Sequence, residues 1–304
     1  MKKIISVSRR TDIPAFYSEW FMNRVRAGFC CVPNPYNPRQ VATVSLEPQE
    51  VKLFVFWTRN PAPLMTRLEE LDNAGYHYYF LYTVVGYPRT IDPHAPESAE
   101  AVKTFQQLSL RIGKEKVIWR YDPIFYSNST SLEWHKSNFK RLLAAIAPYT
   151  KRVIFSFLAP YRKTLSRMSK ETGQGFRFEP DAFQPATYAG LIREMSILAK
   201  QHGIMLQSCA EESDMTSWGV VPGKCIDADL IGRITGQALD YKKDPSQRSA
   251  CGCAVSKDIG MNTTCLFGCR YCYATNSMTT AQINHARHDP SAPSLLPLKK
   301  NGSV

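Results

Sequence analysis

Apolar and polar positions alternate along the first 210 residues in a regular order of short strands and longer helices. Six nearly continuous apolar runs, rich in β-branched and aromatic residues, predict strands at 2–8, 51–58, 76–85, 116–124, 152–158 and 204–210. Helical periodicity occupies the intervening segments at 18–29, 62–75, 97–113, 131–148 and 186–203. Continuous apolar runs are typical of parallel strands that are covered on both faces. The pattern therefore predicts an α/β fold built on a parallel sheet.

Six strand–helix units of this kind fit either a partial (β/α)6 barrel of the TIM type or a doubly wound sheet. We expect this unit to span residues 1–210, followed by a cysteine-rich segment at 211–283 and a flexible or loosely attached tail at 284–304. Both architectures carry their chemistry in the loops after the carboxyl ends of the strands. A functional site is therefore expected in those loops.

Charged side chains recur in these loops, beside prolines. Strand termination explains the prolines, but it does not explain the arginines and acidic residues next to them. We interpret these side chains as the rim of a site, formed by Arg9, Arg10, Asp12, Arg59, Asn60, Arg120, Asp122, Arg162, Lys163 and Glu211. Arg9 or Arg10 is a candidate carboxylate clamp, because a planar guanidinium binds a carboxylate through two hydrogen bonds. Arg120 and Asp122 share one face of a strand, and either serve this site or form a plain ion pair.

Composition narrows the class of protein. The chain has 304 residues, of which 44% are hydrophobic, and this suits a globular protein with a sizeable core. The apolar run before Arg9 is only about five residues long, which is too short for a signal peptide or a membrane span. We therefore expect a cytoplasmic protein without a membrane partner.

The formal net charge of +12 suggests an acidic partner, either nucleic acid or an anionic metabolite. No long basic block is present, and the positive charges are spread along the chain. A solvated surface with surplus lysine and arginine is the alternative explanation. The substrate is therefore expected to be a small molecule or a nucleic acid.

Nine cysteines are many for a chain in a reducing compartment, where clustered cysteines more often bind metal than form disulfides. Cys30 and Cys31 are adjacent near the first helix and are interpreted as core or surface thiols. The other seven fall in the last third of the chain. Three of these, Cys265, Cys269 and Cys272, have C-x3-C-x2-C spacing.

Thiolates select zinc, copper(I) or iron–sulfur clusters, and zinc sites usually draw their ligands in pairs. Three close cysteines with a tyrosine before the third resemble the radical S-adenosylmethionine superfamily. That resemblance implies a [4Fe–4S] cluster on the three thiolates, S-adenosylmethionine on the fourth iron, and an electron donor such as flavodoxin or ferredoxin. It also implies a partial (β/α)6 barrel, the architecture indicated by the hydrophobic pattern.

The resemblance extends along most of the chain to an uncharacterised bacterial family in which the cluster motif lies at the carboxyl end. It is carried by SVSRRTDIPAFY (6–17), FWTRNPAP (56–63), WRYDPI (119–124), KCID (224–227), CGCAVSKDIG (251–260) and CLFGCRYCYA (265–274). Ordinary superfamily members place these cysteines after the first strand. We expect the C-terminal segment to fold over the barrel mouth and deliver the motif there. GCRYCY and RYDP also resemble spore photoproduct lyase, which acts on DNA.

Four further cysteines, Cys209, Cys225, Cys251 and Cys253, match the number of ligands in an auxiliary [4Fe–4S] cluster or a structural zinc site. We favour the cluster because of the neighbouring motif, while a buried apolar role for Cys209 stays open. Arg59, Lys163 and Glu211 are candidate cofactor-binding residues, with Glu211 a candidate for the ribose or amino group of S-adenosylmethionine. Tyr271 and Tyr273 are expected to contact the cluster or adenine, or to belong to the core.

These observations favour a radical S-adenosylmethionine enzyme of unassigned substrate. The alternative is a zinc- or cluster-stabilised nucleic-acid-binding protein without radical chemistry, but a binding module would concentrate basic and aromatic residues on one face. A metal-dependent hydrolase is disfavoured, because none of the six histidines occurs in an H-x-H or HExxH pattern.

Overall fold

The computed structural model describes residues 2–169, 177–178, 185–238 and 241–298. The strands are β1 (Lys3–Val7), β2 (Phe29–Pro33), β3 (Val41–Ser45), β4 (Val51–Thr58), β5 (Tyr78–Thr83), β6 (Val117–Ile124), β7 (Arg152–Phe157), β8 (Met205–Cys209), β9 (Val221–Gly223) and β10 (Lys257–Asp258). The α-helices are α1 (Ile13–Phe16), α2 (Ser18–Ala27), α3 (Ala62–Met65), α4 (Leu68–Asn73), α5 (Ser98–Ile112), α6 (Leu132–Ile146), α7 (Arg162–Met168), α8 (Pro185–Gln201), α9 (Ala228–Thr235) and α10 (Met278–Ala286). Two short 3-10 turns occupy Ala147–Tyr149 and Thr216–Trp218.

The six predicted strands form the centre of an eight-stranded sheet in the order β10-β1-β4-β5-β6-β7-β8-β9. Every neighbouring pair in this sheet is parallel. The predicted parallel α/β fold is confirmed. The central strands follow one another in chain order, as in a barrel, whereas a doubly wound sheet reverses its order. Within the described residues the sheet keeps two ends, β10 and β9, and is not a closed barrel.

The two faces of the sheet are covered by different parts of the chain. In β4, Phe54 and Phe56 point to one face, while Leu53 and Val55 point to the other, as the two-residue period of a strand requires. Helices α2, α5, α6 and α8 bury their apolar sides on the first face. The second face is covered by residues 225–234, which include most of α9, and by residues 251–254. Each fully buried large side chain contributes about 2 kcal/mol through removal from water.

Glycines after the helices and a capping carboxylate mark the ends of several helices, as expected from their conformational preferences. Gly113 and Gly203 lie just after α5 and α8, with φ of 90° and 68°, a region that side chains with a Cβ rarely adopt. The carboxylate of Asp227 begins α9 by accepting hydrogen bonds from the backbone of Asp229 and Leu230. This cap fixes the segment that covers the second face of the sheet.

Three parts of the chain differ from the prediction. The segment directly after α2 forms an antiparallel hairpin, β2–β3, which the sequence did not predict and which contains Cys30 and Cys31. The single helix expected at 62–75 is divided into α3 and α4, which a short turn at Thr66 and Arg67 separates. The cysteine-rich segment also adds two strands that the sequence did not predict, β9 and β10, to the two edges of the sheet.

The segment expected to be a loosely attached tail is packed as far as residue 298. Trp20 Nε1 donates to the carbonyl of Ala292 at 3.0 Å, and Arg24 donates to the carbonyl of Ser291 at 2.8 Å. Leu295 is buried in the core. Residues 299–304 lie outside the described part of the chain. Among the described residues, no helix combines the length and apolar character needed to cross a membrane.

Candidate functional site

A loop that carries Cys265, Cys269 and Cys272 lies across the carboxyl ends of the parallel strands. On one side, the Tyr17 hydroxyl donates to the carbonyl of Thr264 at 2.7 Å. In the middle, the backbone of Arg270 donates to Ile91 O, in the loop after β5, at 3.1 Å. On the other side, Arg167 in α7 donates to Thr275 O at 2.7 Å. The loop therefore spans from the end of β1 to the helix after β7.

Each of the three thiols has its own hydrogen-bond donors. Cys265 accepts from the backbone of Phe267 and Asp12. Cys269 accepts from Arg59 Nη1 at 3.2 Å. Cys272 accepts from the backbone of Ala274 and Thr275, at 3.4 and 3.3 Å. Burial raises the pKa of the Cys265 and Cys269 thiols, while the donors around them favour the thiolate that metal binding requires.

Arg59 is held in a buried network beside Cys269. Its Nη2 forms an ion pair with Asp92 Oδ2 at 2.5 Å, and its Nη1 also donates to the Tyr271 hydroxyl. Tyr271 in turn donates to Asp92 Oδ2 at 3.0 Å. The Asp92 side chain is only 1% exposed, so breaking the pair would leave an uncompensated buried charge. The predicted residues Arg59 and Tyr271 thus meet at the cysteine loop, together with an aspartate that the sequence did not single out.

Asp12 connects two of the predicted rim loops. One carboxylate oxygen accepts from the backbone of Ala15 at 3.0 Å and caps α1, and the other accepts from the backbone of Arg59 at 2.6 Å. Burial raises the pKa of Asp12 to about 7, against these hydrogen bonds. Asp12 therefore holds the loops after β1 and β4 together, directly beneath Cys265.

Arg9 and Arg10 were equally good candidates from the sequence, but they have different partners in the structure. Arg10 Nε forms an ion pair with Asp258 at 3.0 Å, and Asp258 also accepts from Ser6, Ser8 and the backbone of Arg9. Arg10 thus joins β10 to β1. Within the described part of the chain, the Arg9 guanidinium has no ion pair, and its Nη2 is buried without a hydrogen-bond partner.

Trp57 lies beneath two arginines of the rim. The Arg9 and Arg120 guanidinium carbons are 5.1 and 4.9 Å from the centre of its ring, at distances typical of cation–π contacts. Arg120 also forms the ion pair with Asp122 that the sequence left open as an alternative. Asp122 accepts a further hydrogen bond from Ser156.

Three further predicted site residues, Glu211, Lys163 and Tyr273, lie beside the cysteine loop or within it. Glu211 accepts from the backbone of Phe157 at 2.9 Å, and burial raises its pKa to about 7. Lys163 donates to the side chain of Asn276 at 3.2 Å in an exposed contact. The Tyr273 hydroxyl donates to the carbonyl of Arg9 at 2.8 Å and ties the cysteine loop to the end of β1.

The other four predicted cysteines come together against the second face of the sheet. The Cys209 and Cys225 sulfurs are 3.2 Å apart, and Cys253 contacts both Cys225 and Cys251. The backbone of Ile226 donates to the Cys253 sulfur at 3.3 Å. These mutual hydrogen bonds raise the pKa of Cys225 and lower that of Cys253. In the described residues, no three His, Cys, Asp or Glu side chains are already arranged as a set that could hold a metal ion.

Arg9 and Arg120 interact with both of the regions that carry the cysteines. Both interact electrostatically with Cys225, and both also interact with Tyr273 of the cysteine loop. The rim arginines are thus shared by the loop above the strand ends and the thiols against the second face.

Solved structures resemble this chain only weakly. A short-chain dehydrogenase/reductase from Mycobacterium marinum is 12% identical, with 68% of this chain and 73% of that chain covered and a TM-score of 0.26. A putative alpha-L-fucosidase from Bacteroides thetaiotaomicron is 10% identical over 79% and 84% of the two chains, with a TM-score of 0.29. The IolI protein with a bound zinc atom is 11% identical over 72% and 90%, with a TM-score of 0.33. None of these similarities is strong enough to support an argument.

No curated protein sequence matches this chain. A family model does match, over residues 4–274, and its description is domain of unknown function DUF1848. The match includes all six central strands, the four cysteines against the sheet and the C-x3-C-x2-C loop. The chain therefore belongs to the DUF1848 family.

Proposed function

We propose that this protein is a radical S-adenosylmethionine enzyme whose [4Fe–4S] cluster is ligated by Cys265, Cys269 and Cys272. The observation that carries the proposal is the position of the C-x3-C-x2-C loop across the carboxyl ends of parallel strands. Parallel α/β folds place their chemistry at this edge. Although the motif lies near the end of the sequence, tertiary structure brings it beside the loop after the first strand.

The donor set fits such a cluster. Three thiols in one loop have backbone or guanidinium donors of their own, and N–H donors to the sulfurs tune an iron–sulfur cluster. Around them, buried polar atoms of the described residues have no partner: Arg9 Nη2, Thr11 Oγ1, Trp57 Nε1, Arg59 Nε, Asp92 Oδ1, Arg120 Nε and Thr275 Oγ1. Buried polar groups normally find partners, so this concentration supports a polar ligand at the rim.

A [4Fe–4S] cluster held by the three thiolates would pass one electron, taken from a reduced flavodoxin or ferredoxin, to the sulfonium of S-adenosylmethionine, whose C5′–S bond would break into methionine and a 5′-deoxyadenosyl radical able to take hydrogen from a substrate. The residues of this chain would hold the cluster ligands in place and neutralise the negative charge of the cofactor or substrate. Asp92 and Tyr271 orient Arg59 toward Cys269. Arg9, whose guanidinium has no acceptor in the described residues, is the cation available to an anionic group of cofactor or substrate.

The test is anaerobic reconstitution with iron and sulfide, followed by reduction and electron paramagnetic resonance. We expect a reduced [4Fe–4S] signal that changes when S-adenosylmethionine is added. Cys269→Ala should abolish this response, whereas Cys31→Ala, at a thiol of the β2–β3 hairpin, should retain it.

Two outcomes would count against the proposal: a signal that S-adenosylmethionine does not alter, or one that survives in the Cys265→Ala/Cys269→Ala/Cys272→Ala variant with its response intact. If the protein binds only zinc, the metal-stabilised nucleic-acid-binding function becomes the better explanation, and the net charge of +12 favours it. Salt-dependent binding of a single-stranded oligonucleotide would test that function directly.

A further inference from the structure

We infer that Cys209, Cys225, Cys251 and Cys253 form a second metal site, and that this site binds one tetrahedral zinc ion rather than a second [4Fe–4S] cluster. The inference does not depend on the proposed radical chemistry, because none of these four residues belongs to the C-x3-C-x2-C loop.

Three separate segments deliver the four thiols to one place. Cys209 ends β8, Cys225 follows β9, and Cys251 and Cys253 precede β10. Cys225, Cys251 and Cys253 are each at most 6% exposed and are packed with the apolar residues of α9 against the sheet. Four sulfurs gathered from distant positions of a chain, without a disulfide between them, are typical of a metal site.

The spacing of the thiols decides between one ion and a cluster. Sulfur ligands lie about 2.3 Å from zinc, so the sulfurs of a zinc tetrahedron are roughly 3.8 Å apart. Cys209 and Cys225 are 3.2 Å apart, and Cys253 is in hydrogen-bond contact with Cys225 and Cys251. A cubane cluster separates its thiolates much more widely, because four irons and four sulfides lie between them. The contact spacing therefore favours a single ion.

The contacts run as a chain from Cys209 through Cys225 and Cys253 to Cys251, which is why no three of the thiols yet surround a common point. Cys209 and Cys251, the first and last thiols in this series of contacts, are close enough to interact electrostatically. Zinc displaces the thiol protons when it binds. Exchange of sulfur–hydrogen contacts for sulfur–zinc bonds would draw the two ends inward through side-chain rotation.

The residues around the four thiols provide positive charge and a hydrogen bond to a ligand sulfur. A zinc ion with four thiolates carries a net charge of −2, and the positive charges of Arg9 and Arg120 both interact electrostatically with Cys225 of this group. The backbone of Ile226 already donates to the Cys253 sulfur.

The experiment uses the full chain with Cys265→Ala, Cys269→Ala and Cys272→Ala, so that the proposed cluster cannot contribute metal. We expect this protein to retain one zinc per chain by mass spectrometry of metals. Adding Cys225→Ser should reduce bound zinc at least tenfold, whereas adding Cys31→Ser should leave it unchanged.

Cobalt(II) provides a second readout that needs no substitution in the four-cysteine group. After zinc removal under reducing conditions, the triple variant should bind one cobalt and show the intense visible absorption of tetrahedral thiolate coordination. Binding of iron and sulfide in equal numbers would overturn the single-ion inference, and failure to bind zinc, cobalt or a cluster would overturn the metal site itself. A zinc site in protein that shows no response to S-adenosylmethionine would leave this inference standing while the proposed function fails.

Discussion

The two groups of cysteines are built from the same side chain but have opposite surroundings. The thiols at 265, 269 and 272 accept hydrogen bonds from the backbone and from Arg59, and they are partly exposed above the strand ends. The thiols at 209, 225, 251 and 253 contact one another in an apolar cluster against the sheet. Thiols with separate donors fit the corners of a large cofactor, whereas thiols in mutual contact fit a single ion.

The largest expected effect is a difference in protein stability when one cysteine of each group is replaced. Cys225→Ala should lower the free energy of unfolding of the zinc-loaded protein by at least about 5 kcal/mol, because metal binding to a buried site is coupled to folding. Cys269→Ala should lower it by only about 1 kcal/mol, since this thiol lies in a surface loop. Urea unfolding of both variants in the presence of zinc gives the comparison. Equal losses would show that the two groups do not differ in this way.

The next effect concerns the ion pair beside the loop. Asp92→Ala should destabilise the protein by about 3–5 kcal/mol, because it leaves the buried Arg59 guanidinium without its counter-charge. The matched control is Glu97→Ala, which removes the exposed partner of Arg89 and should change stability by no more than about 1 kcal/mol. Thermal unfolding measures both. If Asp92→Ala behaves like the control, the Arg59 network does not support the loop.

The smallest expected effect is a pH dependence beneath the loop. His135 is fully buried, its ring contacts Tyr87, and Tyr87 contacts Tyr271 of the loop. Burial lowers the pKa of His135 to about 4, so the folded protein keeps it neutral while the unfolded chain takes up a proton below about pH 6.5.

Stability should therefore fall as the pH is lowered from 7 to 4, by up to about 3 kcal/mol from this residue. Urea unfolding at several pH values, with His135→Gln as the control, measures the contribution. The variant should lose this part of the pH dependence. An identical slope in the variant would assign the pH dependence to other groups.

Most of the sheet could be predicted because its signal is local. The run 51–58 is continuously apolar from Leu53 to Trp57, which suits a strand covered on both faces. The hairpin β2–β3 was missed because its second strand is short and mostly exposed, so its pairing depends on β2 rather than on its own pattern. The break between α3 and α4 was missed for a similar reason, because a continuous helical pattern does not show where tertiary contacts turn the chain.

The residue types of the candidate site could be predicted from the sequence, but the ion-pair partners of its charged side chains could not. The sequence singled out neither Asp92 nor Asp258, and only the fold shows that one carboxylate pairs with Arg59 and the other with Arg10. Arg9 and Arg10 are neighbours with the same side chain, and no sequence pattern indicates which of them forms an ion pair with an aspartate.

The sequence by itself determined the six central strands, the polar rim after them and the two sets of cysteines, because hydrophobic periodicity and residue spacing can be read along the chain without the fold. Only the tertiary structure decided that residues 261–276 cross the strand ends, that four distant thiols touch, and that the segment 287–298 packs on α2. Such contacts join residues up to about 270 positions apart, and they form only when the common core brings those positions together.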